Sequence, residues 1–312
     1  MIKEQYLKNL EVPTGKVDVI LDTDAYNEID DQFAISYLLL SGERLNTVGL
    51  CAAPFFNSLS TGARDGMEKS YDEILKLLGL LGRDDLKAKT YRGSAEYLPD
   101  EKTPVESEAA RFIVESAKKY SPEAPLYIVA IGAITNVASA ILLDPSAMEN
   151  TVVVWLGGHA MHCDWGKGEA AEFNMKQDIA GARVLFESKT PVVMLPCGGV
   201  VSAFTLSGAE CEYWLKDVNP LADYLARNTI EAAEKYAKGR PWTRVIWDVT
   251  AVAWLLNNGD RFIKSRVINS MLPEYDMSYS YPVGAKEISY ATFINRDELM
   301  NDLITKIRKF GK

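Results

Sequence analysis

The chain has 312 residues, of which 47% are hydrophobic and 25% are charged, a composition typical of a folded globular protein and not of a disordered or fibrous one. Its 34 Lys and Arg residues are outnumbered by 43 Asp and Glu residues, and the net charge of −9 argues against nucleic acid as a partner. The longest apolar stretches, such as residues 126–134, are far shorter than the ~20 residues that span a bilayer, and the charged N-terminus has no signal-like apolar segment. We therefore expect a cytoplasmic protein without a membrane span.

Strands and helices alternate along the first two thirds of the chain. A β-branched run at residues 17–21 predicts a buried strand, and apolar residues at helical spacing predict a helix at 30–40. Further strands are predicted at residues 47–52, 126–131, 152–156 and 191–195. The helices between them are predicted at about 61–81, 107–120 and 136–143, with one more that ends near 187. This order is typical of an α/β fold with an open, mostly parallel, Rossmann-like sheet flanked by helices.

The last third of the chain is predicted to be mainly helical. Its predicted elements are helices at residues 208–216, 221–238 and 249–256 and short alternating runs near 275–281 and 287–293. Asn295 and Glu298 have the spacing of a capping box at the start of a final helix. Because the sequence has no internal repeat and no long linker, we expect residues 1–312 to form a single domain.

Residues 22–31 contain six acidic or amide side chains directly after the first predicted strand. In an open parallel sheet, ligands bind beyond the carboxyl ends of the strands, where these side chains are expected. Crowded carboxylates repel one another, and a hard divalent cation such as Ca²⁺ or Mg²⁺ would neutralise them. The alternative is a solvated loop that caps the next helix. Zinc is not expected, because the two histidines and four cysteines match no ligand spacing, and we expect the cysteines to be reduced and mostly buried.

Four short motifs follow one another across residues 17–254. The first is Ile-Leu-Asp-Thr-Asp at residues 20–24, which is followed by Asp30-Asp31 and Ala34-Ile35. The others are Ile-Thr-Asn at 134–136, Ala-Glu-Phe-Asn at 171–174 with Asp178 behind it, and Trp247-Asp248. In this order, the motifs resemble those of the inosine-uridine preferring nucleoside hydrolase family. The resemblance implies the fold of that family and an enzyme that hydrolyses the N-glycosidic bond of ribonucleosides to a free base and ribose.

The resemblance also implies roles for individual residues. The Ca²⁺ ligands would be three carboxylates and one backbone carbonyl, from Asp24, Asp31, Asp248 and Ile131. Asp30, which is next to a ligand, would be the general base that takes a proton from a water at the metal. The residues implied to bind the ribose hydroxyls are Asn57, Glu172 and Asn174. For these three, ordinary hydrogen bonding within loops is the alternative.

The match departs from the family pattern around the leaving group. Many relatives have a His immediately before the last metal-binding Asp, where it can protonate the base, and this chain has Trp247. A Trp delivers no proton, but its indole face could hold the base by stacking, or it could simply pack at the start of a helix. An Asn expected six residues before the Glu-Phe-Asn motif is replaced by Gly166. In the segment before that motif, His159, His162 or Asp164 could supply the missing acid.

Two loops differ from the family pattern, so the sequence does not identify the substrate. Residues 25–29 lie between the two acidic pairs, where the family usually has only Pro-Gly and one further residue, and region 91–104 lacks a His-Gly stretch found in some relatives. Two other functions therefore remain: hydrolysis of a non-nucleoside riboside, and binding of a sugar or nucleoside without turnover. Asp30 argues against binding without turnover, because a protein that only binds has little need of a second acidic residue beside a metal ligand. Since relatives form dimers or tetramers, the resemblance implies a homodimer or homotetramer that acts on a small-molecule nucleoside or riboside.

Overall fold

The computed structural model describes residues 1–161, 163 and 168–311. Its strands, β1 to β12 in chain order, are Val17–Thr23, Leu45–Ala52, Thr90–Arg92, Leu126–Ala130, Thr151–Leu156, Val192–Leu195, Thr205–Ser207, Thr243–Val245, Ile263–Asn269, Leu272–Pro273, Tyr279–Ser280 and Glu287–Ile294. Its α-helices, α1 to α12, are Lys3–Lys8, Asp30–Leu39, Ala63–Leu80, Glu108–Ala117, Thr135–Leu143, Pro145–Met148, Phe173–Gln177, Ile179–Glu187, Gly208–Leu215, Pro220–Ala237, Val249–Leu255 and Arg296–Lys309. Short 3₁₀ helices lie at Asp84–Lys89, Val201–Ala203 and Asn258–Asp260.

Among the described residues, eight strands form a central sheet in the order β3-β2-β1-β4-β5-β6-β12-β9. Neighbouring strands are parallel except for the pair β12 and β9, which is antiparallel. The strands β7 and β8, and likewise β10 and β11, form two small antiparallel pairs. The prediction of an α/β fold with an open, mostly parallel sheet flanked by helices is confirmed.

The chain changes its direction across the sheet between β1 and β4. From β1 it continues through β2 to β3 on one side, and from β4 through β5 to β6 on the other side. Such a switch point opens a crevice beyond the carboxyl ends of the two neighbouring strands. Asp24 directly follows β1 and Ile131 directly follows β4. The acidic segment therefore begins at the place in the fold where a ligand crevice is expected.

Helices cover both faces of the sheet, which explains why its central strands are apolar throughout. Every residue of β4 and of β5 is buried. Ile128 belongs to the same hydrophobic core as Val137 of α5, whereas Val129 belongs to the core on the other face together with Phe33 of α2. Packing from both sides holds the ends of β1 and β4 in place, and with them the loops that lead to the crevice.

The later elements differ from the sequence prediction in three places. No strand is predicted at β9, which has four exposed residues in a row and so lacks the alternating pattern of a strand. Of the run at residues 275–281, only Tyr279–Ser280 forms a strand. The capping box is wrong, because the side chain of Asn295 makes no capping bond to α12. The backbone N–H of Asn295 already donates to the Phe262 carbonyl at 2.7 Å, and Glu298 pairs with Arg261 at 3.0 Å instead.

Some general expectations can also be compared with the structure. No α-helix in the described part of the chain is long and apolar enough to cross a membrane. Three of the four cysteines, Cys51, Cys197 and Cys211, are buried and form no disulfide, as expected. The organisation of residues 1–312 as a single domain stays a prediction.

Candidate active site

Four aspartates gather at the crevice between β1 and β4. Asp24 directly follows β1, Asp30 and Asp31 are the first two residues of α2, and Asp248 immediately precedes α11. All four are at most 3% exposed, and Asn174 beside them is 5% exposed. These five residues line the deep end of one cavity, which we call the cavity floor.

Eight of the nine predicted site residues line this cavity: Asp24, Asp30, Asp31, Ile131, Glu172, Asn174, Trp247 and Asp248. Asn57 is the exception. Its Nδ2 donates to Asn27 Oδ1 at 2.6 Å, and its Oδ1 accepts from the backbone N–H of Leu59 at 2.8 Å. Asn57 thus lies behind Asn27, which does line the cavity. The structure does not bring Asn57 to the site as a ribose ligand, because both polar atoms of its side chain hold the loops together.

The floor carboxylates are arranged so that they could hold a cation. One oxygen each from Asp30, Asp31 and Asp248 lies within 4.8 Å of the others. Both carboxylate oxygens of Asp24 are buried and have no hydrogen-bond partner among the described residues. A buried carboxylate without a partner is strongly unfavourable unless an opposite charge compensates it. The oxygen-only donor set and the missing partner both fit a hard cation such as Ca²⁺ or Mg²⁺.

Burial and mutual repulsion raise the pKa values of the floor aspartates. For Asp24 and Asp248, burial is the largest cause and the neighbouring carboxylates come next, so that each pKa lies well above its ordinary range. Burial raises the pKa of Asp31 to about 7, although the Thr23 hydroxyl donates to Asp31 at 2.5 Å and favours the ionised form. Without a counter-charge the floor favours protonated carboxyls, and a bound cation would reverse this preference.

The turn after β4 lies against the Asp24 carboxylate and leaves room only for glycine. A Cβ atom at Gly132 would lie 2.9 Å from Asp24 Oδ1 and 3.1 Å from the Cβ of Ala53. Gly132 follows Ile131, which lines the same cavity as Asp24. The absence of a side chain at position 132 therefore lets the ends of β1 and β4 share one site.

Asn174 and Glu172 are fixed by hydrogen bonds to the backbone. Asn174 Nδ2 donates to the carbonyls of Ile131 at 3.1 Å and Leu156 at 3.0 Å, and its Oδ1 has no hydrogen-bond partner among the described residues and can bind a ligand. Glu172 caps α7, and its carboxylate accepts from the backbone N–H groups of Asn174 and Gly158, both at 2.9 Å. The hydrogen bonding within loops that was considered for Glu172 is therefore present, and its side chain also lines the cavity.

Polar residues of the other motifs hold the surrounding loops together. Asn136 Nδ2 donates to Asp22 Oδ1 at 2.7 Å, and Asn136 Oδ1 accepts from the backbone N–H of Ser94 at 2.7 Å. The Asp178 carboxylate accepts from the Thr135 hydroxyl at 2.6 Å. These bonds connect the carboxyl ends of several strands, so the motif residues Asn136 and Asp178 support the crevice from behind.

Of the residues considered as the leaving-group acid, only His159 lies in the described part of the chain. His159 lines the cavity, and its Nδ1 accepts from the backbone N–H of Gly198 at 3.1 Å. The neutral ring consequently carries its proton on Nε2, and burial lowers the pKa of His159. Both features disfavour the imidazolium that a general acid needs. His162, Asp164 and Gly166 lie outside the described residues.

The sequence pattern assigns no role to Glu28 and Arg244, which the structure brings together at the outer end of the cavity. Glu28 belongs to the loop between Asp24 and Asp30, and its Oε2 accepts from Nη2 of Arg244 at 2.6 Å. Glu28 and the half-buried Trp247 line this outer end, which we call the cavity mouth. The extra length of the loop at residues 25–29 is the one signal in the sequence that could have drawn attention to Glu28.

Comparisons with known proteins identify the family and the fold of this chain. The family model described as inosine-uridine preferring nucleoside hydrolase matches residues 19–287. The chain is 27% identical over 231 residues to the probable uridine nucleosidase 2 of Arabidopsis thaliana, covering 67% of each protein. It is 26% identical over 220 residues to a pyrimidine-specific ribonucleoside hydrolase of Citrobacter koseri, covering 63% of this chain and 69% of the relative. In fold it resembles a purine-preferring ribonucleoside hydrolase from Gardnerella vaginalis, with a TM-score of 0.70, 23% identity, and coverage of 94% of this chain and 98% of the other.

Proposed function

This chain belongs to the inosine-uridine preferring nucleoside hydrolase family, and we propose that it is a Ca²⁺-dependent enzyme that hydrolyses ribonucleosides to a free base and ribose. Hydrolysis of ribonucleoside N-glycosyl bonds follows from the family match and the relatives. The proposal adds the metal and the residue roles. The observation that carries it is the buried, unpartnered carboxylate of Asp24, which lies in one cavity with three further aspartates.

The proposed Ca²⁺ ligands are Asp24, Asp31, Asp248 and the backbone carbonyl of Ile131. They come from the ends of β1 and β4 and from the starts of α2 and α11, and all four line the cavity. When bound, Ca²⁺ would supply the positive charge that keeps these carboxylates ionised and would orient vicinal ribose hydroxyls. Three carboxylates and a carbonyl leave ligand positions open for the substrate, since Ca²⁺ takes 6–8 oxygen ligands.

Asp30 is the proposed general base. Burial, Glu28 and Asp31 raise the pKa of Asp30 well above its ordinary range, and the positive charge of Arg244 opposes this shift. A carboxylate base works best when its pKa lies near the working pH. In the reaction, the C1′–N bond of the nucleoside breaks, and its electron pair moves to the departing nucleobase. A water molecule adds to C1′, and Asp30 takes a proton from that water.

The remaining cavity residues are proposed to bind the two halves of the substrate. Asn174 and Glu172 line the cavity, and in this proposal Asn174 Oδ1 and the Glu172 carboxylate contact ribose hydroxyls near the floor. At the mouth, Trp247 offers an indole face on which a flat base can stack. Because an indole delivers no proton, the departing base would take its proton from solvent.

Release of reducing sugar tests this proposal. A panel of purine and pyrimidine ribonucleosides and simpler ribosides is incubated with added Ca²⁺, and again after treatment with a chelator. We expect release from ribonucleosides that the chelator abolishes and that fresh Ca²⁺ restores. Release only from ribosides with a better leaving group would favour the second candidate, a non-nucleoside riboside hydrolase, which Trp247 in the place of a proton donor supports. No release while Ca²⁺ is bound would indicate a binding protein.

We further propose a cytoplasmic homodimer or homotetramer. Tyr213 and Trp214 of α9 are 75% and 42% exposed, and their rings contact each other edge to face at 4.8 Å. Exposed neighbouring aromatic side chains are frequent at protein interfaces. Light scattering coupled to size-exclusion chromatography gives the oligomeric state, and a monomer at micromolar concentration would contradict the proposal. Cell fractionation tests the location.

A further inference from the structure

The cavity is more buried at its floor than at its mouth. The floor aspartates are at most 3% exposed, whereas the Glu28 side chain is 44% exposed and Trp247 is half-buried. If the floor takes the ribose hydroxyls, as the proposed function requires, the heterocyclic base of a nucleoside lies at the mouth beside these two side chains. An ionised carboxylate in that place can accept hydrogen bonds from the nucleobase but has no proton with which to donate one.

An ion pair holds Glu28 in place. Its Oε2 accepts from Nη2 of Arg244 at 2.6 Å, and the Arg244 side chain is only 20% exposed. The Arg244 guanidinium also lies 5.8 Å from the ring centroid of Tyr236. A guanidinium that is largely buried beside a ring has little freedom to lose when it binds a carboxylate, so it is a firm anchor. The pair uses Oε2 of Glu28, and within the described residues Oε1 makes no hydrogen bond and can accept from another donor.

We infer that Glu28, oriented by Arg244, accepts a hydrogen bond from a ring N–H group of the base and makes the enzyme selective for bases that carry this donor. Uracil and hypoxanthine have such an N–H on the six-membered ring, away from the glycosidic bond. The hydrogen bond exists before and during bond cleavage, so it lowers KM and leaves kcat nearly unchanged. Arg244 is a positioning residue for this hydrogen bond, since it reaches the base only through Glu28.

The test compares each nucleoside with a methylated partner that lacks the donor: uridine with 3-methyluridine, and inosine with 1-methylinosine. In the wild type, kcat/KM for the unmethylated nucleoside is expected to exceed that for its partner by about tenfold or more, as for a hydrogen bond to a charged group. In Glu28→Ala this ratio falls to about 1, mainly through a higher KM for the unmethylated nucleoside. Removing Glu28 also changes the charge around Asp30, but that effect applies to both substrates and cancels in the ratio.

The chain contains a matched control pair. Glu68 pairs with Arg92 at 2.9 Å, and Arg92 lies over the Tyr71 ring at 3.9 Å, so this pair repeats the chemistry of Glu28 and Arg244 outside the cavity lining. Glu68→Ala should leave the ratio at its wild-type value. Arg244→Met should lower the ratio as Glu28→Ala does, because an unanchored carboxylate binds the donor less well.

A binding measurement separates this inference from the proposed function. The ratio of Kd values is measured with Ca²⁺-loaded Asp30→Asn protein, in which the nucleoside is consumed at least about 10²-fold more slowly, with and without the Glu28→Ala change. An unchanged ratio overturns the role of Glu28 and leaves the hydrolase proposal standing. Selective binding by a wild-type protein that shows no turnover overturns the hydrolase proposal alone. If the Ca²⁺-loaded protein binds no nucleoside, both proposals are overturned.

Discussion

The floor and the mouth of the cavity carry negative charge in opposite ways. On the floor, the Asp24 carboxylate is buried and has no partner among the described residues. At the mouth, the Glu28 carboxylate is 44% exposed and is already neutralised by Arg244 within the chain. Buried, unpaired carboxylates require a counter-charge from outside, whereas an exposed and paired carboxylate is stable without a ligand.

This difference indicates a division of labour within one site. The floor depends on a bound cation, and changes there should affect metal binding and kcat. The mouth is complete without the cation, and changes there should affect KM and the choice of base.

Asp248→Asn should cause the largest loss of turnover among these variants. It removes one of the proposed carboxylate ligands, and we expect turnover to fall by at least about 10³-fold, as when a group that stabilises charge in the transition state is lost. Calorimetric titration should show much weaker Ca²⁺ binding at the same time. Normal turnover with normal Ca²⁺ affinity would remove Asp248 from the metal site.

Asp30→Asn should separate catalysis from metal binding. The loss of a general base is expected to lower kcat by about 10²–10⁴-fold. Ca²⁺ affinity should change little, because Asp30 is not a proposed ligand. Parallel titration and rate measurements check this, and a loss of Ca²⁺ binding comparable to that of Asp248→Asn would make Asp30 a ligand instead.

The raised pKa values of the floor carboxyls predict how the stability of the metal-free protein depends on pH. Burial raises the pKa of Asp31 to about 7 when the chain is folded, so the folded state binds an extra proton between about pH 4 and pH 7. The stability that this group contributes is present below about pH 4 and is lost as the pH rises to about 7. Ca²⁺ binding displaces at least this proton, so its affinity should rise by at least about tenfold per pH unit up to about pH 7.

Thermal unfolding at pH 5 and pH 7.5, with chelator and with Ca²⁺, measures this effect. The chelated protein should have the lower Tm at pH 7.5, and saturating Ca²⁺ should remove that difference. A chelated protein that is more stable at pH 7.5 than at pH 5 would contradict the assignment of the floor as a site that needs a cation.

Gly132→Ala should disturb the floor without changing any charge. The new Cβ would lie 2.9 Å from Asp24 Oδ1, and we expect Ca²⁺ affinity to fall about five- to tenfold, the size of a modest overpacking cost. Gly79→Ala in α3 is the matched control, since its Cβ would meet nothing closer than 4.0 Å. Calcium titration of both variants should show an effect at position 132 only.

Trp247→Leu should have the smallest effect and should act at the mouth. The loss of a stacking face worth about 1 kcal/mol raises KM for nucleosides about fivefold. Ca²⁺ affinity and kcat should stay near their wild-type values, and Trp247→Tyr should recover most of the lost affinity. A Ca²⁺ affinity that falls with Trp247→Leu would show that floor and mouth are not independent.

The sequence predicts the floor well because its residues have local signals. Asp24, Asp30 and Asp31 lie in one acidic segment after a strand with a clear apolar pattern. The apolar runs at β1, β4 and β5 are readable because helices cover both faces of the sheet. The edge strand β9 has no such cover and no readable pattern, so it could not be predicted.

The Glu28–Arg244 pair at the mouth could not be predicted, because it depends on a contact between distant parts of the chain. Glu28 and Arg244 are 216 residues apart, and no spacing rule relates them. Asn57 shows the reverse error: its residue type suits a ribose contact, but its side chain is used by Asn27 and the Leu59 backbone. Residue type alone does not say which polar atoms the folded chain has already satisfied.

The most direct test of the central claim is a calorimetric Ca²⁺ titration of the wild-type protein and of Asp24→Asn. The Asp24 carboxylate has no partner within the described residues, so its only proposed purpose is to hold the cation. We predict one Ca²⁺ bound per wild-type chain, and binding that is lost or much weaker in Asp24→Asn while the variant remains folded. Absence of Ca²⁺ binding in the wild type, or equal binding by a folded Asp24→Asn protein, would contradict the assignment of the floor as a calcium site.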